Sequence, residues 1–185
     1  MDIRFDYEKR LLLSEDEYRA VLKAFKTCLT EKEISCYYDT AALDLNKKEV
    51  TCKITKKGDR KVATVRCCDI GNKEKSIKRS MPLSEENIFE REGLLCFGSM
   101  KTERSVICIS DHCIASLDKN IYLSTTDYDL IIEYREGYEP EAERIIMSIK
   151  KTIGRADIIF AGSSANKRKR FFEKHLTTLK SSVKI

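Results

Sequence analysis

Polar and apolar residues alternate along two widely separated stretches of the chain, and a period of two is the signature of a β-strand. In the first stretch Arg4, Asp6, Glu8 and Arg10 share one face, while Phe5, Tyr7, Leu11 and Leu13 share the other. In the second, Asp127, Asp129, Glu133 and Arg135 lie opposite Tyr128, Leu130, Ile132 and Tyr134. An ordinary half-buried strand would turn such a charged row to solvent. The alternative is an enclosed polar lumen in which carboxylates and arginines from distant parts of the chain meet.

Between these stretches the pattern switches period several times. Ser14, with Glu17 three residues on, forms a capping-box start to a helix. Its apolar stripe is Val21, Leu22, Phe25, Cys28 and Leu29, ending before the polar Thr30 to Glu33. Short strands are predicted over Cys36 to Thr40, Glu49 to Lys57, Lys61 to Cys68 and Lys73 to Ser80, joined as antiparallel hairpins by turns such as Lys57-Gly58-Asp59. A short helix from Ser84 to Phe89 follows Pro82. Three more strands are predicted over Leu95 to Met100, Arg104 to Ser110 and Ile114 to Leu117. After the last strand, Pro140 and Gly154 bracket a helix with Ala142, Ile145, Ile146, Ile149 and Ile153 as its stripe. A final helix is predicted from Asn166 to Leu179. The fold class is therefore α+β, with helices packed onto an antiparallel sheet.

With 185 residues, the chain suits one domain spanning 1–185 and a sizeable core. Apolar residues make up 42% and charged residues 35%, and the longest apolar runs, such as Leu11 to Leu13, are too short to cross a bilayer. No basic segment followed by an apolar one opens the sequence, so a cytoplasmic protein without membrane partners is expected. The eight cysteines include several inside strand patterns, as at Cys52, Cys67 and Cys108, where a thiol serves as a small buried hydrophobe. They lack the spacing of a zinc site. His112 and His175 have no surrounding carboxylate pattern that would activate a Cys/His nucleophile. The basic run Lys167-Arg168-Lys169-Arg170 reads as a solvated helix face rather than a nucleic-acid contact, because no base-reading motif accompanies it. A net charge of +5, spread along the chain, fits an anionic ligand without requiring nucleic acid.

The strand carboxylates and cations suggest one chemistry. Mg²⁺ and Mn²⁺ take hard oxygen ligands, and Asp6, Glu8, Asp129 and Glu133 offer carboxylates from separate strands. Arg10, Lys53, Arg66 and Arg104 can neutralise a polyphosphate, the arginines with paired hydrogen bonds. Phosphoryl transfer needs positioning and charge stabilisation more than a nucleophilic side chain, so the lack of a catalytic triad is no obstacle. No P-loop spacing of Gly, Lys and Ser/Thr occurs, which leaves side chains to hold the phosphate.

On these residues the chain resembles the CYTH family, the triphosphate tunnel metalloenzymes, whose signature is Glu-x-Glu-x-Lys on the first strand. It takes the form Asp6-Tyr7-Glu8-Lys9-Arg10 here, followed by Leu11-Leu12-Leu13-Ser14. Tyr37-Tyr38-Asp39-Thr40, Leu43-Asp44-Leu45 and the run Tyr122-Leu123 through Thr126-Asp127-Tyr128-Asp129-Leu130 to Glu133-Tyr134 are similar to the family in the same order. The resemblance implies a closed antiparallel eight-stranded β-barrel, or tunnel, with helices outside. It also implies metal ligands at Asp6, Glu8, Asp129 and Glu133, and phosphate grips at Arg10, Lys53, Arg66, Arg104 and Lys167. Glu8, Arg10 and Lys53 would be catalytic. Three positions depart from the pattern: Asp6 is one methylene shorter than glutamate, Thr55 stands where an arginine is common, and Ile131 replaces an acidic residue.

The activity implied first is metal-dependent hydrolysis of the terminal phosphate of inorganic triphosphate or a small organic triphosphate, a metal-positioned water attacking phosphorus. Adenylyl cyclase activity is the alternative within the family, although no purine pocket is specified by the sequence. A binding protein for polyphosphate or nucleotide, without catalysis, is the reading that Thr55 and Ile131 favour. The partner is a small-molecule triphosphate in each case, and pairing of two tunnels as a homodimer is left open.

Overall fold

The computed structural model describes residues 7–68, 76–83, 87–155 and 166–182. Its elements are β1 (Tyr7–Leu13), α1 (Glu15–Ala24), β2 (Leu29–Asp39), α2 (Asp44–Lys47), β3 (Val50–Lys57), β4 (Arg60–Cys68) and β5 (Ser76–Pro82). They continue with α3 (Ile88–Arg91), β6 (Leu95–Ile109), β7 (Cys113–Tyr122), β8 (Thr125–Tyr134), α4 (Glu139–Ile153) and α5 (Lys167–Ser182). All strands join one antiparallel eight-stranded sheet in the order β1-β8-β7-β6-β2-β3-β4-β5.

The expected closed barrel is corrected to a curled half-barrel. Among the described residues the sheet has two edges, β1 and β5, and no ladder joins them. The curl is nevertheless tight, because Arg66 on β4 donates to Glu8 on β1 at 3.2 Å although five strands lie between them in the sheet order. A side-chain bridge spans the gap that an eighth set of backbone hydrogen bonds would otherwise seal.

Alternation assigns the two faces. On the convex face Leu11, Leu13, Ala115, Leu117, Leu130, Ile132 and Tyr134 pack under Val21 of α1 and Ala142, Ile146 and Ile149 of α4. Burying this many large side chains at about 1.5–3 kcal/mol each is the main source of stability. Both helices begin and end where their sequences dictate. Ser14 and Glu17 form the reciprocal capping box of α1, while α4 starts around Pro140 and stops at Gly154, whose φ is 70°. A second convex cluster joins Tyr38, Cys52, Ile54 and Ala63 to Phe89 of α3.

The last helix meets the sheet at its rim. Phe171 and Phe172 of α5 pack with Tyr37, Met100 and Tyr122, which are on the opposite, concave face. Gly98, with a φ of 129°, lets Phe171 approach its backbone at the β2–β6 bulge; a Cβ there would lie 3.2 Å from the ring. The helix therefore lies against one end of the bowl.

Several element bounds differ from the sequence reading. The first helix stops at Ala24, and Leu29 instead opens β2 by pairing with Val106. The strands predicted at 95–100 and 104–110 are one continuous β6. Lys73 to Lys75 and Ser84 to Glu86 lie outside the described residues.

Candidate functional site

Glu8 and Glu133 are direct cross-strand partners in the β1–β8 register and point to the concave face with Arg10 and Asp129. Opposed carboxylates repel unless cations intervene. Arg10 supplies one, donating Nε and Nη2 to Glu8 Oε1 at 3.3 and 2.9 Å and Nη1 to Asp129 Oδ2 at 3.1 Å. Arg66 binds the other oxygen of Glu8. Burial opposes ionisation of Glu8, but Arg10 and Arg66 overcome it and bring its pKa down to about 2.

The neighbouring β7 contributes Asp118, completely buried, which accepts a forked pair of 2.8 Å bonds from Arg104 Nε and Nη2 on β6. Lys167 at the start of α5 reaches the same carboxylate at 2.6 Å and Thr102 Oγ1 at 3.2 Å. Asp118 is held ionised against its burial by these two cations. Glu133 is 4.0 Å from Arg104. Three residues beyond Lys167, Arg170 binds Asp127 through Nε and Nη2 and Asp129 through Nη2 at 2.6 Å. Asn120 bridges the same two aspartates, and Tyr122 donates to Asp127 at 2.6 Å. Asn166 starts the helix by accepting from the Lys169 amide.

Lys53 on β3 differs from these cations. It donates to Ser35 Oγ at 3.4 Å, and no carboxylate lies within ion-pair distance of it among the described residues. Burial, together with the nearby positive charges of Lys167, Lys78 and Arg104, lowers its pKa to about 8 against the pull of Glu33. Hydroxyls line this end: Ser35 meets Thr55 at 2.9 Å and Thr64 meets Ser80 at 3.0 Å. The concave face thus has an acidic side, where every described carboxylate near β1 and β8 has a cationic neighbour, and a side around Lys53 with surplus positive charge. That surplus suits an anion.

The carboxylates fit a hard divalent ion by donor type. Asp129 Oδ1 is also buried and accepts no hydrogen bond, an open position on a hard oxygen. Among the described residues, however, no three His, Cys, Asp or Glu side chains gather as a metal-binding group, and Asp6 lies outside the described residues.

Of the residues singled out from sequence, Glu8, Arg10, Lys53, Arg66, Arg104, Asp129, Glu133 and Lys167 are all brought to the one concave face. Ile131 and Thr55 line it too. The basic run of α5 is corrected: Lys169 is exposed, but Lys167, Arg168 and Arg170 turn inward, Arg168 to the carbonyl and side chain of Asn46. Asp118, Asn120, Lys78 and Arg170 escaped the sequence reading. The signal for the first two was the alternation Ser116, Asp118, Asn120 against Ala115 and Leu117; for Arg170 it was the three-residue step from Lys167. Asp39, inside the Tyr37-Tyr38-Asp39-Thr40 segment, accepts from the amides of Thr40, Leu45 and Asn46 and so fixes the start of α2.

The concave face of this half-barrel thus pairs acidic strands with converging lysines and arginines. The CYTH domain profile matches residues 5–161, and the chain belongs to the CYTH family. No curated protein matches it. Among solved structures, a candidate adenylate cyclase from Bacillus halodurans is 18% identical, with a TM-score of 0.70 over 91% of this chain and 98% of that one. A candidate adenylyl cyclase from Hippeastrum, described as having a dominant triphosphatase activity, is 17% identical, with a TM-score of 0.67 over 91% and 95%. A Pyrococcus horikoshii protein is 14% identical, with a TM-score of 0.63 over 95% and 99%. No helix of the described residues is long and apolar enough to cross a membrane.

Proposed function

We propose that the protein hydrolyses the terminal phosphate of inorganic triphosphate or a small organic triphosphate in a divalent-metal-dependent reaction. The observation that carries this reading is the convergence of Arg10, Lys53, Arg66, Arg104 and Lys167, from four strands and a helix, on one concave face. Such an array grips successive phosphates and stabilises the charge that spreads over phosphoryl oxygens during transfer. Glu8, Asp129 and Glu133, with Asp6, are the residues that would hold Mg²⁺ or Mn²⁺, which when bound supplies Lewis-acid neutralisation and a position for water.

The residues of the chain do the rest. Water adds to the terminal phosphorus and gives up a proton to solvent, the bridging P–O bond breaks, and the departing diphosphate takes up negative charge. Lys53, still protonated at neutral pH and without a carboxylate to satisfy it, hydrogen bonds to that charge and is the group suited to pass it a proton. Arg10 and Arg66 keep Glu8 ionised throughout.

Hydrolysis is favoured over cyclisation by the aromatic side chains of the concave face. Tyr37, Tyr122, Phe171 and Phe172 are packed on one another, with Tyr37 and Phe171 4.8 Å apart, which leaves none of their faces open to a purine. A product-resolved assay with inorganic triphosphate, thiamine triphosphate and ATP, each with Mg²⁺ and with Mn²⁺, tests the proposal. Orthophosphate release supports it. Cyclic nucleotide and pyrophosphate from ATP would make the protein a cyclase, and tight calorimetric binding without product would make it a binding module.

A further inference from the structure

The first turn of α5 sets Lys167 and Arg170 three residues apart, on one side of the helix, over the acidic end of the bowl. Arg170 lies along Asp127, with Nε 2.8 Å from Oδ2 and Nη2 3.1 Å from Oδ1, and Nη2 also reaches Asp129 Oδ2 at 2.6 Å. Asp129 Oδ2 takes two more donors, Arg10 Nη1 and Asn120 Nδ2. Its other oxygen takes none, although the residue is completely buried. One oxygen is crowded and the other bare, so the guanidinium balances the charge of this carboxylate without satisfying it.

Two aspartates two residues apart on β8, bridged by Asn120 and sharing one guanidinium, present the charge and the hard oxygens that a divalent cation also seeks. A guanidinium and a metal ion cannot both hold them. The helix is anchored by other side chains, through Phe171 and Phe172 in the aromatic cluster and through Arg168 on Asn46. The Arg170 side chain can therefore leave the aspartates while the helix stays seated.

We propose that Arg170 is a resident stand-in for a divalent cation at Asp127 and Asp129, so that cation loading and docking of its guanidinium on these aspartates compete. The inference deepens the proposed function in one respect, since it rests on the acidic end accepting a hard divalent ion.

Calorimetric titration with Mn²⁺ alone, without phosphate, tests it on wild type, Arg170→Gln and Arg170→Lys. Removing the competitor raises Mn²⁺ affinity about tenfold when the uncovered form is about a tenth of the wild-type population. Arg170→Lys keeps a competing charge and stays near wild type. Equal or weaker binding by Arg170→Gln, or no Mn²⁺ binding by any of the three, overturns the proposal. Should Arg170→Gln fail to fold, wild type decides by nuclear magnetic resonance with diamagnetic Mg²⁺: the side-chain Nε–H resonance of Arg170 moves toward that of a solvated guanidinium if the proposal holds, and does not move if it fails. Tighter Mn²⁺ binding by Arg170→Gln with no orthophosphate release would sink the hydrolase reading alone. Hydrolysis of triphosphate with unaltered Mn²⁺ affinity in that variant would sink the competition alone.

Discussion

Asp118 and Asp129 face each other as direct partners across the β7–β8 ladder, and both are completely buried. Two like charges so placed repel, and the fold tolerates them because Arg104 and Lys167 sit on one and Arg10 and Arg170 on the other. These cations hold the curl together, and several of them are the groups proposed to grip phosphate. Asp118→Asn leaves Arg104 and Lys167 without their shared counter-charge and should cost about 3 kcal/mol in urea unfolding. Inorganic triphosphate should restore part of that loss. Leu117→Ala, on the convex face, should cost a similar amount and gain no more from triphosphate than wild type does; equal rescue of both variants would contradict the placement.

The charge of Lys53 sets a pH limit. Its pKa falls from 10.5 to about 8 through burial and the surrounding cations, so affinity for triphosphate should fall about tenfold as pH rises through 8 and its ammonium is lost. Stability should move the other way. The unfolded chain binds the extra proton between about pH 8 and 10.5, so the contribution of this group to stability rises across that window. Lys53→Arg should flatten the affinity profile, and an unchanged profile in that variant would assign the titration elsewhere.

Glu8 acts at the acid end. Arg10 and Arg66, working against burial, lower its pKa from 4.5 to about 2. Its stabilising contribution is therefore complete above about pH 4.5 and is lost as pH falls toward 2. Urea midpoints collected across this range should show a shallower decline in Glu8→Gln than in wild type.

Gly98→Ala probes how α5 is seated. A φ of 129° is strained for alanine, and the added Cβ would press on Phe171 at 3.2 Å. The variant should lose about 1–3 kcal/mol and become more sensitive to proteolysis near α5. Wild-type stability together with wild-type cleavage would show that the close approach is not needed.

Strands β1 and β8 were legible in the sequence because their convex faces are mostly apolar where α1 and α4 cover them, the exception being Lys9, which pairs with Glu139 and Glu143 of α4. The first half of β2 was hidden because Glu31, Lys32 and Glu33 are polar on both faces near the rim, which erases the alternation. Asp118-Lys119-Asn120 truncated β7 for the same reason. The site residues read from β1, β3, β4, β6 and β8 fell on one face because a period of two carries facing information directly. The extent of the curl and the position of α5 were not legible. Both depend on contacts between residues far apart in the chain, Glu8 with Arg66 and Arg170 with Asp127 and Asp129, that no local pattern encodes.

The most direct measurement is phosphate release from inorganic triphosphate with Mn²⁺ or Mg²⁺, comparing wild type with Glu8→Gln. The account predicts orthophosphate from wild type and at least about a hundredfold lower turnover in the variant, with the secondary structure unchanged by circular dichroism. Turnover at the wild-type rate in Glu8→Gln, or a wild-type protein that neither binds nor cleaves triphosphate with either metal, would contradict it.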